Sequence, residues 1–235
     1  MYTTMARVCA SHTNSDGRLK FVSAIDMMQD CSQMWMESEP SVEKYFRENN
    51  LSQMLVSRQV DVKRTPRYGE RLVVQTSVYE CKGFQGYRNT VVYDEKNTPC
   101  FVSWSTGAFV NPSDGKPARV PRDILDNLVV DEKVTMEYLG RKIPLPDREC
   151  RNFPSVTVKK HDIDFNRHMN NARYVQIAVE YLPPDFEINR FRIEYKTPAK
   201  YGEVLHPRMI QIDPGTIYII LLNENADSSA VMEFS

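Results

Sequence analysis

The chain has 235 residues, 41% of them hydrophobic and 26% charged, which is typical of a folded protein and excludes wholesale disorder. The 30 Lys and Arg residues nearly balance the 31 Asp and Glu residues, and the net charge of −1 argues against a dedicated nucleic-acid-binding protein. No apolar run approaches the roughly 20 residues that a membrane-spanning helix needs. The length suits two compact domains or one large domain.

The N-terminus shows no charged segment followed by an apolar one, so we predict no signal peptide. The five cysteines are widely scattered and none forms a CxxC pair. Scattered, unpatterned cysteines are typical of free thiols in a reducing compartment, and we therefore expect a cytoplasmic protein.

The first predicted element is a helix, because Phe21, Ile25, Met28 and Trp35 recur at helical spacing. A second, short helix is predicted within 38–50. Strands are then expected up to the turn at Gly69 and after it, at 71–80, 86–94 and 100–110.

Residues 111–150 are rich in proline and are interpreted as a linker, with one short helix from Pro121 to Leu128. A strand at about 153–161 and a helix that ends at Pro183-Pro184 are predicted next. Three further strands are expected at 203–213, 216–223 and 229–235.

Residues 60–72 and 193–205 resemble each other. Both alternate apolar and polar residues, then contain Thr-Pro, then a basic residue followed by Tyr-Gly-Glu; we align them with one extra residue in the second copy. Each follows a helix that is apolar over more than one face, which favours a helix enclosed by a sheet. The sequence therefore predicts an α+β fold of two tandem domains, 1–145 including the linker and 146–235, each an antiparallel sheet wrapped around a central helix.

The segment before the second helix carries the candidate chemistry. Asp164, Asn166 and His168 follow one another at every second position, so an extended segment would direct all three side chains to one side. Asn170 or Asn171 is suited to cap the helix, whose free N–H groups can bind a developing negative charge. An acid, an amide, an imidazole and a helix start together fit hydrolysis of an activated acyl group.

Other interpretations of these residues are simpler. Asp, Asn and His before a helix are often only turn and cap residues. A metal site would use His161, Asp162, Asp164 and His168, but their spacing matches no zinc pattern. A cysteine–histidine nucleophile pair stays open, although no cysteine follows Cys150.

The pattern Asp-x-Asn-x-His-x-Asn-Asn-x-x-Tyr, residues 164–174, resembles the signature of acyl–acyl carrier protein thioesterases, whose chains hold two fused hotdog domains. The resemblance extends over nearly the whole chain. It implies that Asp164, Asn166 and His168 are catalytic, and it places Asn170, Asn171 and Tyr174 at the substrate. No cofactor and no metal are implied.

In plant members of that family a Glu-Cys pair follows the strand after the second helix, and one or the other belongs to the catalytic set. Here Pro198 and Ala199 occupy those places. Glu180 on the helix and Glu194 on the strand are therefore candidates for a fourth catalytic residue. Solvated surface charges are the simpler interpretation of both.

The first half has Asn14 to Arg18 where the second has Asp164 to His168, and no histidine lies there. We therefore expect one active site, in the second half, with the first half shaping the substrate pocket. The first helix is rich in methionine, which adapts to flexible ligands. Residues expected to line an acyl tunnel there are Met28, Cys31, Met34 and Trp35.

The sequence thus predicts an enzyme that hydrolyses fatty acyl thioesters of acyl carrier protein and ends chain elongation in fatty acid biosynthesis. Alternatives are an acyl-CoA thioesterase, a non-catalytic acyl-binding regulator and a hotdog dehydratase or hydratase. A monomer and a homodimer both stay open. Because carrier proteins are acidic, a basic docking patch is expected. Its candidates are Lys159, Lys160, Arg167, Arg173, Arg190, Arg192, Lys196 and Lys200.

Overall fold

The computed structural model describes residues 1–113 and 115–235. The chain divides into two compact units, one of residues 1–56 and 60–138, the other of residues 57–59 and 139–235. Within the described residues, no helix is long and apolar enough to cross a membrane.

The first unit is an antiparallel sheet with one long helix. Its strands follow the order β1-β3-β4-β5-β2. The strands are β1 (Tyr2–Arg7), β2 (Ser52–Val62), β3 (Arg71–Lys82), β4 (Gln85–Asp94) and β5 (Pro99–Val110). The helices are α1 (Phe21–Met34), α2 (Pro40–Glu48) and α3 (Arg122–Leu125), with 3₁₀ turns at Ala10–His12 and Trp35–Ser38.

Helix α1 packs on β3 and β4. Its residues Ala24, Ile25, Met28 and Cys31 have no exposed surface. The thiol of Cys31 donates to the carbonyl oxygen of Val74 in β3 at 3.3 Å. This burial confirms the predicted sheet around a central helix, and the short helix predicted within 38–50 is α2.

The second unit repeats this plan with shorter elements. Its strands follow the order β8-β11-β10-β9-β6, and β7 pairs with β9. They are β6 (Arg151–Asn152), β7 (Val156–Thr157), β8 (Arg190–Tyr195), β9 (Val204–Asp213), β10 (Thr216–Leu222) and β11 (Ser228–Phe234). A 3₁₀ turn at Lys160–Asp162 precedes helix α4 (Asn171–Val179), whose residues Ala172, Tyr174, Val175 and Ala178 are buried.

Two local predictions are wrong. Of the single strand expected at about 153–161, only the two residues of β7 form, and the two residues of β6 lie just before that range. Pro154 lies between them and has no N–H to donate to a sheet. The helix expected from Pro121 to Leu128 is only the four residues of α3.

The alignment of the two halves also needs correction. The N–H of Leu19 donates to the carbonyl of Pro66 at 2.8 Å, and the N–H of Met169 donates to the carbonyl of Ala199 at 2.8 Å. Pro66 therefore corresponds to Ala199, so the two copies align without an extra residue.

Arg192 has a structural role in the second unit. Its guanidinium pairs with Glu233 and donates to the carbonyl oxygens of Gly140 and Lys142. These bonds attach the segment with Gly140 and Lys142 to the sheet of the second unit. Because its side chain is only 11% exposed, Arg192 does not belong to an open docking patch, contrary to the prediction.

Candidate active site

The loop before α4 is closed by its own backbone. The N–H of Asp164 donates to the carbonyl of His168 at 2.9 Å, and the N–H of Arg167 donates back to the carbonyl of Asp164 at 3.0 Å. Arg167 adopts a positive φ of 62°, which reverses the chain. The segment is therefore a tight turn, and the prediction that it is extended is wrong.

The turn still brings the three proposed catalytic residues onto one loop. Oδ1 of Asp164 accepts a hydrogen bond from the N–H of Asn166 at 2.8 Å, as is typical of aspartate in turns. The side chains of Asp164 and His168 are half-buried, while Asn166 is exposed. An acid and an imidazole thus stand at the two ends of the turn, with the amide between them.

Helix α4 begins directly beside this turn. Oδ1 of Asn170 accepts from the N–H of Ala172 at 2.8 Å, so Asn170 is the helix cap and the predicted capping is confirmed. The carbonyl of Asn170 accepts from the N–H of Arg173 at 2.9 Å. No described residue accepts a hydrogen bond from the N–H of Asn171, which leaves a donor at the positive end of the helix dipole.

Two tyrosines support the loop from behind. The N–H of Ala199 donates to the hydroxyl oxygen of Tyr174 at 2.8 Å, and the hydroxyl of Tyr195 donates to the carbonyl of Asn171 at 3.1 Å. The two rings meet edge to face, with centroids 5.7 Å apart. Burial raises the pKa of Tyr174 to about 12, so its hydroxyl is protonated at neutral pH.

The structure does not bring either candidate for a fourth catalytic residue to this loop. Glu180 caps the C-terminal end of α4, about 13 Å along the helix axis from Asn171. Oε2 of Glu194 accepts from the N–H of Ile143 at 3.5 Å. Ala199, in contrast, contacts Met169, the residue after His168, so the place of the family's Glu-Cys pair does lie beside the site.

Sequence reasoning missed Glu203 and Tyr195. Oε2 of Glu203 accepts from the N–H of Lys200 at 3.0 Å, and its carbonyl accepts from the N–H of Val158 at 2.9 Å. These bonds hold the turn that contains Ala199 against the strand that enters the loop. The repeated Tyr-Gly-Glu motif was the signal for Glu203; Tyr195 had none.

A second copy of the loop lies in the first unit. The N–H of Asn14 donates to the carbonyl of Arg18 at 2.8 Å, and the N–H of Gly17 donates to the carbonyl of Asn14 at 3.0 Å. Gly17 has the positive φ, 77°, that Arg167 has in the other copy. Arg18 therefore occupies the position of His168, and this copy lacks the imidazole.

The first unit contains an apolar cavity beside the end of α1. Its wall includes Trp35, Met36, Phe46, Val78, Arg88 and Phe109. The guanidinium of Arg88 stacks over the ring of Trp35, 4.3 Å from its centre. Of the predicted tunnel residues, Trp35 lines this cavity. Met28 and Cys31 lie on the buried face of α1, whereas Met34 is 44% exposed.

The described residues offer no metal site. They contain no cluster of three or more His, Cys, Asp and Glu side chains that could hold an ion. His161 and Asp162 do approach each other, at 3.5 Å, but Oδ2 of Asp162 accepts from the N–H of Lys159.

Comparison with known proteins agrees with this fold. The family model of the acyl-ACP thioesterase N-terminal domain matches residues 1–128, and that of the C-terminal domain matches residues 147–231. The chain belongs to the acyl-ACP thioesterase family. Both models together cover most of the chain, including the loop with Asp164, Asn166 and His168.

Two curated relatives are chloroplastic proteins of Cuphea species. The chloroplastic acyl-[acyl-carrier-protein] hydrolase FATB2 of Cuphea viscosissima is 26% identical over 172 residues, 68% of this chain and 41% of the relative. The chloroplastic palmitoyl-acyl carrier protein thioesterase of Cuphea hookeriana is 25% identical over the same length and share. The chain thus spans about two fifths of the curated relatives it matches.

Solved thioesterase structures show the same fold. An acyl-ACP thioesterase from Bacteroides thetaiotaomicron superposes with a TM-score of 0.87 at 20% identity, covering 99% of this chain and 96% of that one. The 12:0-ACP thioesterase of Umbellularia californica gives 0.86 at 15% identity, over 100% and 96%. The predicted pair of tandem hotdog domains is confirmed.

Proposed function

We propose that this chain hydrolyses fatty acyl thioesters of acyl carrier protein, releasing a free fatty acid and so ending chain elongation. One observation carries the proposal: a chain matched by both thioesterase domain models places Asp164, Asn166 and His168 on a single closed loop at a helix start. No cofactor is required, because a thioester is already activated and a thiolate leaves readily.

His168 is the proposed general base, since an imidazole is the side chain that most often takes a proton from water in enzymes. The water attacks the thioester carbonyl carbon, and the C–S bond breaks as the tetrahedral intermediate collapses. The thiolate leaves with a proton returned by the imidazolium. In the alternative route a carboxylate attacks the carbonyl carbon, the C–S bond breaks to leave a mixed anhydride and the thiolate, and His168 then takes a proton from the water that hydrolyses the anhydride.

The carbonyl oxygen becomes negative in that intermediate. The N–H of Asn171, which has no acceptor among the described residues, and the amide of Asn166 are the donors proposed to bind it. Asp164 orients the loop through its bond to the N–H of Asn166 and stabilises the imidazolium by its charge. Asn170 acts as cap, and so keeps the N–H of Asn171 at the helix start.

The proposed partner is an acidic carrier protein that presents its acyl chain on a phosphopantetheine arm. Around the loop, exposed cations of the second unit are suited to dock it: Lys159, Lys160, Arg167, Lys196 and Lys200. The turn of Ala199 contacts Met169, and Lys160 lies 6.0 Å from the ring of Tyr201, so Lys200 in that turn and Lys160 lie close to the loop.

The acyl tail is proposed to enter the first unit at its small apolar cavity, whose side chains must move apart to admit it, which would make residues 1–145 the pocket-shaping domain and 146–235 the catalytic one. Support comes from the apolar wall formed by Trp35, Phe46 and Phe109. The five free cysteines suit a reducing compartment, and we propose that the protein acts in the cytoplasm.

The decisive experiment compares thioesters of one acyl series on acyl carrier protein and on CoA, with released fatty acid measured by mass spectrometry. Faster release from the carrier protein, abolished by His168→Ala, is the expected result. Equal or faster release from CoA indicates an acyl-CoA thioesterase. Binding without release indicates an acyl-binding regulator, an outcome relevant because Pro198 and Ala199 replace the family's Glu-Cys pair.

A further inference from the structure

Behind each of the two loops, one residue of the helix and one residue of a remote turn occupy equivalent positions, and these pairs differ between the two units. Tyr174 is the fourth residue of α4 and Ala24 is the fourth residue of α1. Ala199 corresponds to Pro66, because each carbonyl accepts the N–H of the residue that follows the loop, Met169 or Leu19. The second unit thus has a tyrosine facing an alanine N–H, while the first has an alanine and a proline.

The chemistry of the two pairs explains this difference. Ala199 is 1% exposed and has an N–H that needs an acceptor, which the hydroxyl of Tyr174 provides at 2.8 Å. Proline has no N–H, so Pro66 needs no acceptor, and Ala24 offers none. Among the described residues, this hydroxyl link between the helix and the turn therefore exists in the unit whose loop carries His168 and not in the other.

That link reaches the proposed base in two steps. Tyr174 binds the N–H of Ala199, and the carbonyl of Ala199 accepts the N–H of Met169, which directly follows His168. The peptide group that contains the carbonyl of Ala199 also contains the N–H of Lys200, which donates to Oε2 of Glu203 at 3.0 Å. Displacement of this peptide would tilt Met169 and, with it, the direction of the His168 side chain.

We infer that Tyr174 is a positioning residue for His168: its hydroxyl binds the Pro198–Ala199 peptide and so fixes Ala199, whose carbonyl holds the backbone from which the imidazole projects. The inference deepens the hydrolytic function proposed above and rests on it. It also differs from the role implied by family resemblance, which places Tyr174 at the substrate. A buried ring whose hydroxyl is occupied by Ala199 is suited to support rather than to substrate contact.

The test is Tyr174→Phe, alone and combined with Ala199→Pro. The single variant leaves the Ala199 N–H without its acceptor; kcat falls at least about tenfold with KM nearly unchanged, because small displacements of a catalytic group are costly. Its melting temperature falls by about 2–8 °C. The double variant removes the orphaned N–H but does not restore the hydroxyl link, so it regains most of the lost melting temperature while kcat stays low.

Ile217→Val, in the buried part of β10, is the matched control for lost stability. It should lower the melting temperature without lowering kcat. Unchanged kcat in Tyr174→Phe, or a rise in KM with kcat unchanged, overturns the inference and returns Tyr174 to the substrate. Recovery of kcat in the double variant, which still lacks the hydroxyl link, overturns it as well.

A second measurement does not depend on hydrolysis. The ring resonances of His168, identified among the four histidines by their loss in His168→Gln, are compared by NMR in the native chain and in Tyr174→Phe. The inference requires them to shift while those of His206 stay in place, and unshifted resonances overturn it. Absence of hydrolysis in the native chain would contradict the proposed function alone.

Discussion

The amide N–H of Asp164 donates to the carbonyl oxygen of His168 at 2.9 Å, so the first and last residues of the proposed catalytic set are joined through the backbone. This bond uses neither side chain. Substitution of either residue therefore leaves the turn closed, and changes in activity can be read separately from changes in fold.

His168→Ala should lower turnover by at least about 100-fold, because a general base contributes on that scale. The melting temperature should change little, since the loop is closed by backbone bonds. Steady-state hydrolysis and thermal unfolding measure the two effects. His161→Ala is the control, as that imidazole is 76% exposed and lies outside the turn. A folded His168→Ala chain with most of its activity would remove His168 from the mechanism.

Charge reversal at Lys196 and Lys200 should raise KM for carrier-bound substrate and make it less sensitive to salt, because opposite charges steer docking. A small thioester should be hydrolysed as before. Reversal at the exposed Lys82 and Lys96 of the first unit changes net charge equally and should have no such effect. Equal effects of Lys196 and Lys200 on both substrates would speak against docking.

Trp35→Ala should lengthen the preferred acyl chain, because removal of the indole enlarges the apolar cavity. Cys31→Phe, which adds volume under α1, should shorten it. Mass spectrometry of the released fatty acids gives the distribution. Met34→Ala is a suitable control, since this side chain is exposed and outside the cavity wall. The same distribution in all three variants would place the acyl tail elsewhere.

Glu70 should stabilise the fold at neutral pH and lose this effect in acid. The guanidinium of Arg64 binds both carboxylate oxygens, at 3.0 and 2.8 Å, and holds the pKa of Glu70 below its ordinary value of 4.5. A carboxyl whose pKa is lowered in the folded state stabilises the fold at any pH above its unfolded-state pKa. It loses that effect as the pH falls through its folded-state pKa.

Glu70→Gln should accordingly lower the melting temperature at pH 7. The difference in melting temperature between the variant and the native chain should disappear as the pH falls below about 4.5. Calorimetry across the pH range measures this. Glu95→Gln, at a carboxylate 63% exposed, should show little difference at any pH. A difference that persists in acid would attribute the stabilisation to packing or to the hydrogen bond that the N–H of Arg67 donates to Oε1 of Glu70 at 2.7 Å.

The order of elements, the internal repeat and the central helices could be predicted because periodicity and turn residues act over short stretches of chain. The cap at Asn170 is equally local. Asp164, Asn166 and His168 were recognised as a set for the same reason, since they lie within one five-residue segment.

Contacts between distant residues were decided by the tertiary structure. Alternation suggested an extended segment at 164–168, but the bond between Asp164 and His168 and the positive φ of Arg167 close it into a turn. Arg192 looked like a surface cation until the sheet placed Glu233 and the carbonyl of Gly140 around it. No pattern in the sequence pairs Tyr174 with Ala199, because a hydrogen bond between a helix and a remote turn depends on how both pack on the sheet.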